Sequence, residues 1–259
     1  MTYRDLGFRQ LYHSFVAIEF TDDLKPAVEG YVGAEDADAA ILYGYIDHEA
    51  GFSFAIIAVG RNTDISVISS PEPNNGLHSL IRAEKIADYE LRSLDECEEM
   101  LSTLHAEKLE MMKVYDVSDE IQETRTFGFL DNCRDEFFVD DIKVMLIKGD
   151  LQPEVCWARI EGTTENSLKA VLLNDPFKDF GCHMGDKLWV NTYKTDDDDL
   201  FASSLIYFEE AGFKLIKKTY DLHSEPDFWY NIETEHEKMF SEQGIKIKAV
   251  IACLQTTQK

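Results

Sequence analysis

The sequence has 259 residues, of which 50 are acidic and 25 are basic, so its formal net charge at neutral pH is -25. This excess disfavours direct, non-specific binding to nucleic acid or to an anionic membrane, because both need a basic surface that neutralises phosphates. Hydrophobic residues make up 44% and aromatic residues 12% of the chain. That composition supplies a core and disfavours a disordered chain.

The sequence contains no apolar stretch near the roughly 20 residues that cross a bilayer, and residues 1–10 lack the apolar core of a signal peptide. Its five cysteines are scattered and form no C-x-x-C pair. Reduced thiols are therefore expected rather than a disulfide framework. These features predict a cytoplasmic protein.

The negative charge is concentrated in one part of the chain. Residues 84–141 contain 18 acidic and 6 basic residues, a net charge of -12, whereas residues 151–259 contain 19 and 12. A contiguous acidic surface repels itself and steers basic partners towards it. A solvated face that only confers solubility is the alternative interpretation.

Alternating and apolar runs predict an N-terminal sheet, with strands at residues 14–20, 40–46, 52–59 and 65–68. A loop is expected at residues 69–76, which contain two prolines and Asn-Asn-Gly. Ser93 and Glu96 have the spacing of a capping box, and apolar residues recur behind them every three or four positions as far as Met111. This pattern predicts one amphipathic helix with an acidic outer face, ending near Lys113.

Short strands are predicted again in the second half, at residues 128–130, 142–148, 155–160, 168–173 and 188–193, and they suggest a small antiparallel sheet or barrel. Two similar segments follow, residues 208–214 and 240–246, each with a glycine suited to end a helix before a strand. The four aspartates at residues 196–199 suit the start of the first helix. The predicted fold class is α+β, with an N-terminal domain of residues 1–125 and a C-terminal domain of residues 126–259.

Residues 155–193 carry a local pattern of a Trp-containing strand around Trp157, an L-x-N-x-P turn at Asn174 and Pro176, and Gly185-Asp186 before an apolar strand. This pattern resembles a family of uncharacterised small bacterial β domains. The resemblance implies a bacterial or phage origin and a small β unit, and it implies no activity.

Nucleophile elbows, phosphate-binding loops and zinc-binding helix motifs are all missing from the sequence. The seven histidines show no ligand spacing, and the aspartates at 196–199 lack the spacing of a calcium loop. We therefore predict no catalytic residue, no metal and no cofactor. Cys182 and His183 are the best pair for covalent or metal chemistry, although neighbouring side chains usually point apart.

The leading hypothesis is an acidic binding protein that neutralises a basic protein, such as an immunity protein that masks a nuclease toxin, without binding nucleic acid or membrane. Carboxylates would pair with the partner's Lys and Arg residues, and aromatic residues would anchor it. The predicted contact residues are Glu96, Glu99, Asp135, Glu136, Asp140, Asp141, Asp227 and Trp229.

Two alternatives stay open at this point. One is a phage-encoded DNA mimic that inhibits a defence protein through rows of carboxylates. The other is an enzyme or small-ligand binder with a pocket near Cys182, His183 and His223.

Overall fold

The computed structural model describes residues 1–62, 64–69, 79–146, 151–152, 154–163, 168–194 and 200–204. The chain divides into two compact units. The first unit is Met1–Val117 with Glu136–Val139, and the second is Ser118–Asp135 with the residues from Asp140 onward. The division into two domains, residues 1–125 and 126–259, stays a prediction.

The first unit is built on a six-stranded antiparallel sheet. Its strands are β1 (Phe15–Glu19), β2 (Ala39–Asp47), β3 (Gly51–Arg61), β4 (Asp64–Ser69), β5 (Leu80–Arg82) and β6 (Leu91–Ser93). Their order is β4-β3-β2-β1-β6, and β5 also pairs with β3. The predicted strands at 14–20, 40–46, 52–59 and 65–68 correspond to β1 to β4.

Helices accompany this sheet, and their bounds are α1 (Tyr3–Leu11), α2 (Lys25–Val28), α3 (Ala83–Ile86), α4 (Glu98–Leu104) and α5 (Ala106–Met112). Neighbouring residues of β1 and β2 enter different clusters, because successive side chains of a strand point to opposite faces. Val16 and Leu42 join a cluster with residues of α1, α2 and α3, whereas Phe15 and Ile41 join one with Leu101. The central strands are therefore buried on both faces.

A tight turn joins β2 to β3. The Asp47 carboxylate accepts hydrogen bonds from the backbone N–H groups of Glu49 and Ala50, each at 3.1 Å. Gly51 has a φ of 85°, and a Cβ there would lie 2.7 Å from the Phe137 carbonyl oxygen. Both the left-handed conformation and the close approach require glycine at this position.

The second unit is a small closed barrel of five strands in the order β10-β11-β7-β8-β9. Its elements are α6 (Asp119–Thr124), β7 (Asp141–Leu146), β8 (Glu154–Thr163), β9 (Leu168–Leu172), β10 (Lys187–Lys194) and β11 (Leu200–Ser204). Alternate apolar side chains fill the core, among them Val144, Ala158 and Leu172. β11 pairs with β7 in parallel, and the other pairs are antiparallel.

The α+β fold class is confirmed, and three local predictions are wrong. The single helix expected from Ser93 to Lys113 is divided, because His105 has non-helical torsions (φ -112°, ψ 23°) between α4 and α5. Residues 128–130 form a 3₁₀ turn rather than a strand. Residues 200–204, expected to begin a helix, form β11, and the remainder of the predicted helix–glycine–strand pair lies outside the described residues.

Within the described part of the chain, no helix combines the length and the apolar character needed to cross a membrane.

Candidate functional site

The first unit contains a cavity of about 240 Å³ with a wall rich in aromatic side chains, which we call the tyrosine cavity. Its lining comes from the end of α1, from β2, from α5 and from the 3₁₀ turn Lys113–Tyr115. The lining residues are Tyr12, His13, Tyr43, Tyr45, Ile46, Leu109, Met112, Lys113, Tyr115 and Asp116.

A close contact between α1 and β2 positions one wall of the tyrosine cavity. A Cβ at Gly44 would lie 2.0 Å from the Leu11 carbonyl oxygen, so only glycine allows this approach. The His13 N–H donates to the Gly44 oxygen at 2.9 Å, and the Gly44 N–H donates to the Ser14 oxygen at 3.0 Å. His13 has a φ of 58°, an uncommon value for a residue other than glycine. Such strain often occurs at functional sites.

The rings of the cavity stack on one another. The His13 ring lies 3.8 Å from the Tyr12 ring and 5.8 Å from the Tyr43 ring, with interplanar angles of 25° and 13°. On the other side, the centroids of Tyr45 and Tyr115 are 4.6 Å apart. His13 is exposed, Tyr43 and Tyr115 are half-buried, and Tyr45 is buried. The lining of the cavity therefore combines exposed, half-buried and buried rings.

Burial raises the pKa of two phenols that line the cavity. It raises the pKa of Tyr43 to about 12, with smaller contributions from Tyr12, Asp116 and Glu98. Burial likewise raises the pKa of Tyr45, and Tyr115 adds to the shift. Both tyrosines are neutral at physiological pH, so they offer ring faces and hydroxyl groups rather than a nucleophile.

One feature of the sequence indicates this cavity, although we did not predict a cavity from it. Tyr43 and Tyr45 are two residues apart in a strand, and that spacing places both side chains on one face. Tyr12 and Tyr115 join them only through the tertiary fold.

Another polar cluster in the first unit is formed by the Tyr31 and Lys108 side chains around the carbonyl oxygen of Ile56. The strand register shifts between Ile41 and Leu42, opposite this position. The Tyr31 hydroxyl donates to the Ile56 oxygen at 2.8 Å, and the Lys108 ammonium donates to the same oxygen. Burial raises the pKa of Tyr31 to about 12 and lowers that of Lys108 to about 8. Burial, with the nearby Lys108 charge, also lowers the pKa of His105.

Replacing Lys108 with Met should stabilise the protein near neutral pH by about 1 kcal/mol, a value reduced for partial solvent access. The Lys108 pKa is depressed in the folded state, so unfolding takes up a proton between about pH 8 and the unfolded value near 10.4. The free energy of unfolding therefore rises with pH across that window, and the Lys108→Met variant should lose part of the rise. Urea unfolding of both proteins from pH 7 to 10 measures the difference. Equal slopes would contradict a buried charged Lys108.

Several predicted contact residues lie on the surface of the first unit. Glu96 is exposed in the 3₁₀ turn Asp95–Cys97, and Glu99 is exposed in α4. Glu136 is exposed and forms a salt bridge with Arg4. The structure thus places these three carboxylates on different elements.

Asp135, Asp140 and Asp141 belong to the second unit, where the latter two are buried. Asp140 accepts two hydrogen bonds from Arg125, at 3.0 and 2.7 Å, and Asp141 accepts two from Arg159, at 2.7 and 3.0 Å. Burial raises the pKa of Asp141, and Arg159 opposes that shift. Asp135 donates its backbone N–H to the Asp141 oxygen at 2.9 Å. Asp140 and Asp141, predicted as contact residues for a basic partner, are therefore buried and paired with arginines of the same unit.

Cys182 and His183 differ in their surroundings. Cys182 is buried in the barrel core, whereas the His183 side chain is 82% exposed and its Nδ1 lies 3.5 Å from an Asp175 oxygen. His223, Asp227 and Trp229 lie outside the described residues. Among the residues that the structure describes, no cluster of His, Cys, Asp and Glu has the arrangement to hold a metal ion.

Comparison with known proteins gives a local match to one class of enzyme. A segment of 60 residues is 65% identical to a tRNA (guanine-N(7)-)-methyltransferase of Clostridium beijerinckii, covering 23% of this chain and 27% of the relative. The enzyme of the same name from Clostridium novyi is 56% identical over 62 residues, 24% of this chain and 29% of the relative. That from Ruminiclostridium cellulolyticum is 54% identical over 68 residues, 26% and 27% of the two chains.

The chain thus spans little more than a quarter of the length of these curated relatives. No family model matches the chain. No solved structure matches it.

These relatives correct the functional hypothesis drawn from charge. They are named as enzymes that act on tRNA, which overturns the expectation of a non-enzymatic immunity protein that binds a basic protein and no nucleic acid. The DNA-mimic alternative is overturned on the same ground. The hypothesis failed because the net charge describes only the average over the whole chain. The similarity to the relatives lies in one short segment and does not depend on the net charge.

Proposed function

We propose that the chain is a tRNA-modifying enzyme that transfers a methyl group to N7 of a guanine in tRNA. The observation that carries this proposal is the 54–65% identity to tRNA (guanine-N(7)-)-methyltransferases over 60 to 68 residues. A cytoplasmic location, where tRNA is modified, belongs to the same proposal.

The chemistry is a simple substitution. The N7 lone pair of guanine attacks the methyl carbon of a sulfonium donor, the carbon–sulfur bond breaks, and the positive charge moves from sulfur to the purine. Such a reaction depends mainly on holding the two reactants in line. The tyrosine cavity, at about 240 Å³, is smaller than the roughly 300 Å³ at which pockets for drug-sized ligands begin, so we do not assign it to a whole sulfonium donor.

Charge limits where tRNA can contact this chain. Residues 1–204 contain 41 acidic and 18 basic residues, whereas residues 205–259 contain nine and seven. Phosphates are repelled by the first of these segments far more than by the second. The acidic stretch of residues 84–141 is therefore disfavoured as a contact surface for the tRNA backbone.

The test is a methyl-transfer assay with the full chain, an unmodified tRNA transcript and S-adenosylmethionine as the donor. Digestion of the tRNA and mass spectrometry should detect 7-methylguanosine in amounts that grow with time. The matched control is the same transcript made with 7-deazaguanosine, which has no N7 nucleophile and should gain no methyl group. Methylation of both transcripts, or of neither under saturating donor, would refute the proposed reaction.

A further inference from the structure

We propose that the tyrosine cavity binds a single positively charged purine base, of which N7-methylguanine is the example formed by the reaction proposed above. The inference rests on the proposed function for the identity of the base and on the cavity for its binding. It assigns the first unit a role in recognising the methylated base, separate from the transfer of the methyl group.

The size and the walls of the cavity fit one planar base. A volume of about 240 Å³ is large enough to admit a purine ring. Tyr12, Tyr43, Tyr45 and Tyr115 line it, and ring faces of this kind stack on any nucleobase. The strained His13 holds its exposed ring nearly parallel to the Tyr43 ring.

The charges around the cavity favour a cation. Lys113 and Asp116 line it, and Lys113 forms a 2.6 Å salt bridge with Glu110. Glu98 is close enough to act on the Tyr43 phenol, as is Asp116. The Lys113 charge is thus paired with Glu110, and the Asp116 carboxylate adds a negative charge to the lining. An anionic phosphate is disfavoured there, and a cationic ring is favoured.

Methylation at N7 changes the charge of guanine, and charge is the property by which this cavity would distinguish the two bases. Methylation places a positive charge on the five-membered ring of the purine without changing the ring plane, and a cation over a tyrosine face is attracted by the ring quadrupole. Neutral guanine gains stacking alone. The cavity should therefore prefer 7-methylguanosine to guanosine by about tenfold, in line with measured cation–π effects.

The experiment is isothermal titration of the full chain with three small ligands. We expect saturable binding of 7-methylguanosine, about tenfold weaker binding of guanosine, and weaker binding of choline, which is cationic but not planar. Equal affinity for guanosine would show that charge is not recognised, equal affinity for choline would show that the ring is not recognised, and no binding of 7-methylguanosine would remove the proposal.

Two variants and one control variant test whether the ligand binds in the tyrosine cavity. Tyr115→Leu removes a half-buried ring and should abolish binding, whereas Tyr89→Leu replaces a tyrosine that is 41% exposed and absent from the lining, and should bind as the unaltered chain does. Asp116→Asn, at an exposed position, should reduce the preference for 7-methylguanosine over guanosine while sparing the fold. Unchanged binding by both Tyr115→Leu and Asp116→Asn would overturn the assignment.

This titration is independent of the methyl-transfer assay. A chain that methylates tRNA and ignores 7-methylguanosine refutes the cavity assignment alone. A chain that binds 7-methylguanosine and transfers no methyl group refutes the proposed reaction alone.

Discussion

Replacing Arg125 with Leu should lower the free energy of unfolding of the second unit by about 3–5 kcal/mol, the usual cost of leaving one charge of a buried pair uncompensated. The Arg125 and Asp140 side chains are 3% and 1% exposed, and two hydrogen bonds join them. Without the guanidinium, the Asp140 carboxylate must stay charged in a dry site or take up a proton. Urea denaturation followed by circular dichroism measures the loss.

The double variant Arg125→Leu/Asp140→Leu is the informative control, because it removes both charges together. It should recover much of the loss, since apolar replacement of a whole buried ion pair is often nearly neutral. Lys25→Met, which breaks an exposed pair with Asp22, should leave the unfolding midpoint unchanged. If Arg125→Leu is also neutral, the pair is not buried as the structure has it.

The second large effect is expected for Gly44→Ala, which should destabilise the first unit by about 3 kcal/mol, as overpacking against a fixed neighbour does. The new Cβ would lie 2.0 Å from a backbone oxygen, that of Leu11, and 3.0 Å from the Phe52 ring. The end of α1 must then move away from β2, and His13 with it. Thermal unfolding measures the loss, and titration with 7-methylguanosine should show weaker binding by the folded fraction.

Gly128→Ala is the matched control, because no heavy atom lies within 4 Å of a Cβ built there. Its stability should stay within about 0.5 kcal/mol of the unaltered chain, as for most surface substitutions. Equal effects of the two alanines would mean that the α1–β2 approach does not depend on glycine.

The strands of the first sheet were predictable because the relevant pattern is local. β2 and β3 are long apolar runs. The turn between them spans five residues, and its own aspartate and glycine supply the hydrogen bonds and the backbone conformation that it requires. The helix after Ser93 was not predictable in this way. Ser93 ends β6 in extended backbone, and its hydroxyl accepts from the Asp95 N–H instead of opening a helix with Glu96.

The apolar spacing that suggested one continuous helix also predicted the wrong residues for its buried face. Met100, Leu104 and Met111 are 49%, 59% and 52% exposed, whereas His105 is 6% exposed. The break at His105 rotates α5 relative to the stripe that a straight helix would present. Only tertiary packing decides which side of such a short helix faces the sheet.

Sites were harder to predict than strands, because their residues are joined across long distances in the sequence. The charge run that contains Asp140 and Asp141 gave no sign that Arg125 and Arg159 neutralise those two carboxylates. Tyr43 and Tyr45 share a face by strand spacing, but Tyr12 and Tyr115 reach the same cavity from other elements. The resemblance of residues 155–193 to small bacterial β domains stays a prediction.

The proposed methylation of guanine N7 in tRNA can be measured in a bacterium that lacks its own tRNA (guanine-N(7)-)-methyltransferase. The chain is expressed there, bulk tRNA is purified, and 7-methylguanosine is quantified by mass spectrometry against an empty-vector strain. We expect 7-methylguanosine to reappear in the tRNA of the expressing strain. Full-length, folded protein in those cells with no 7-methylguanosine in their tRNA would contradict it.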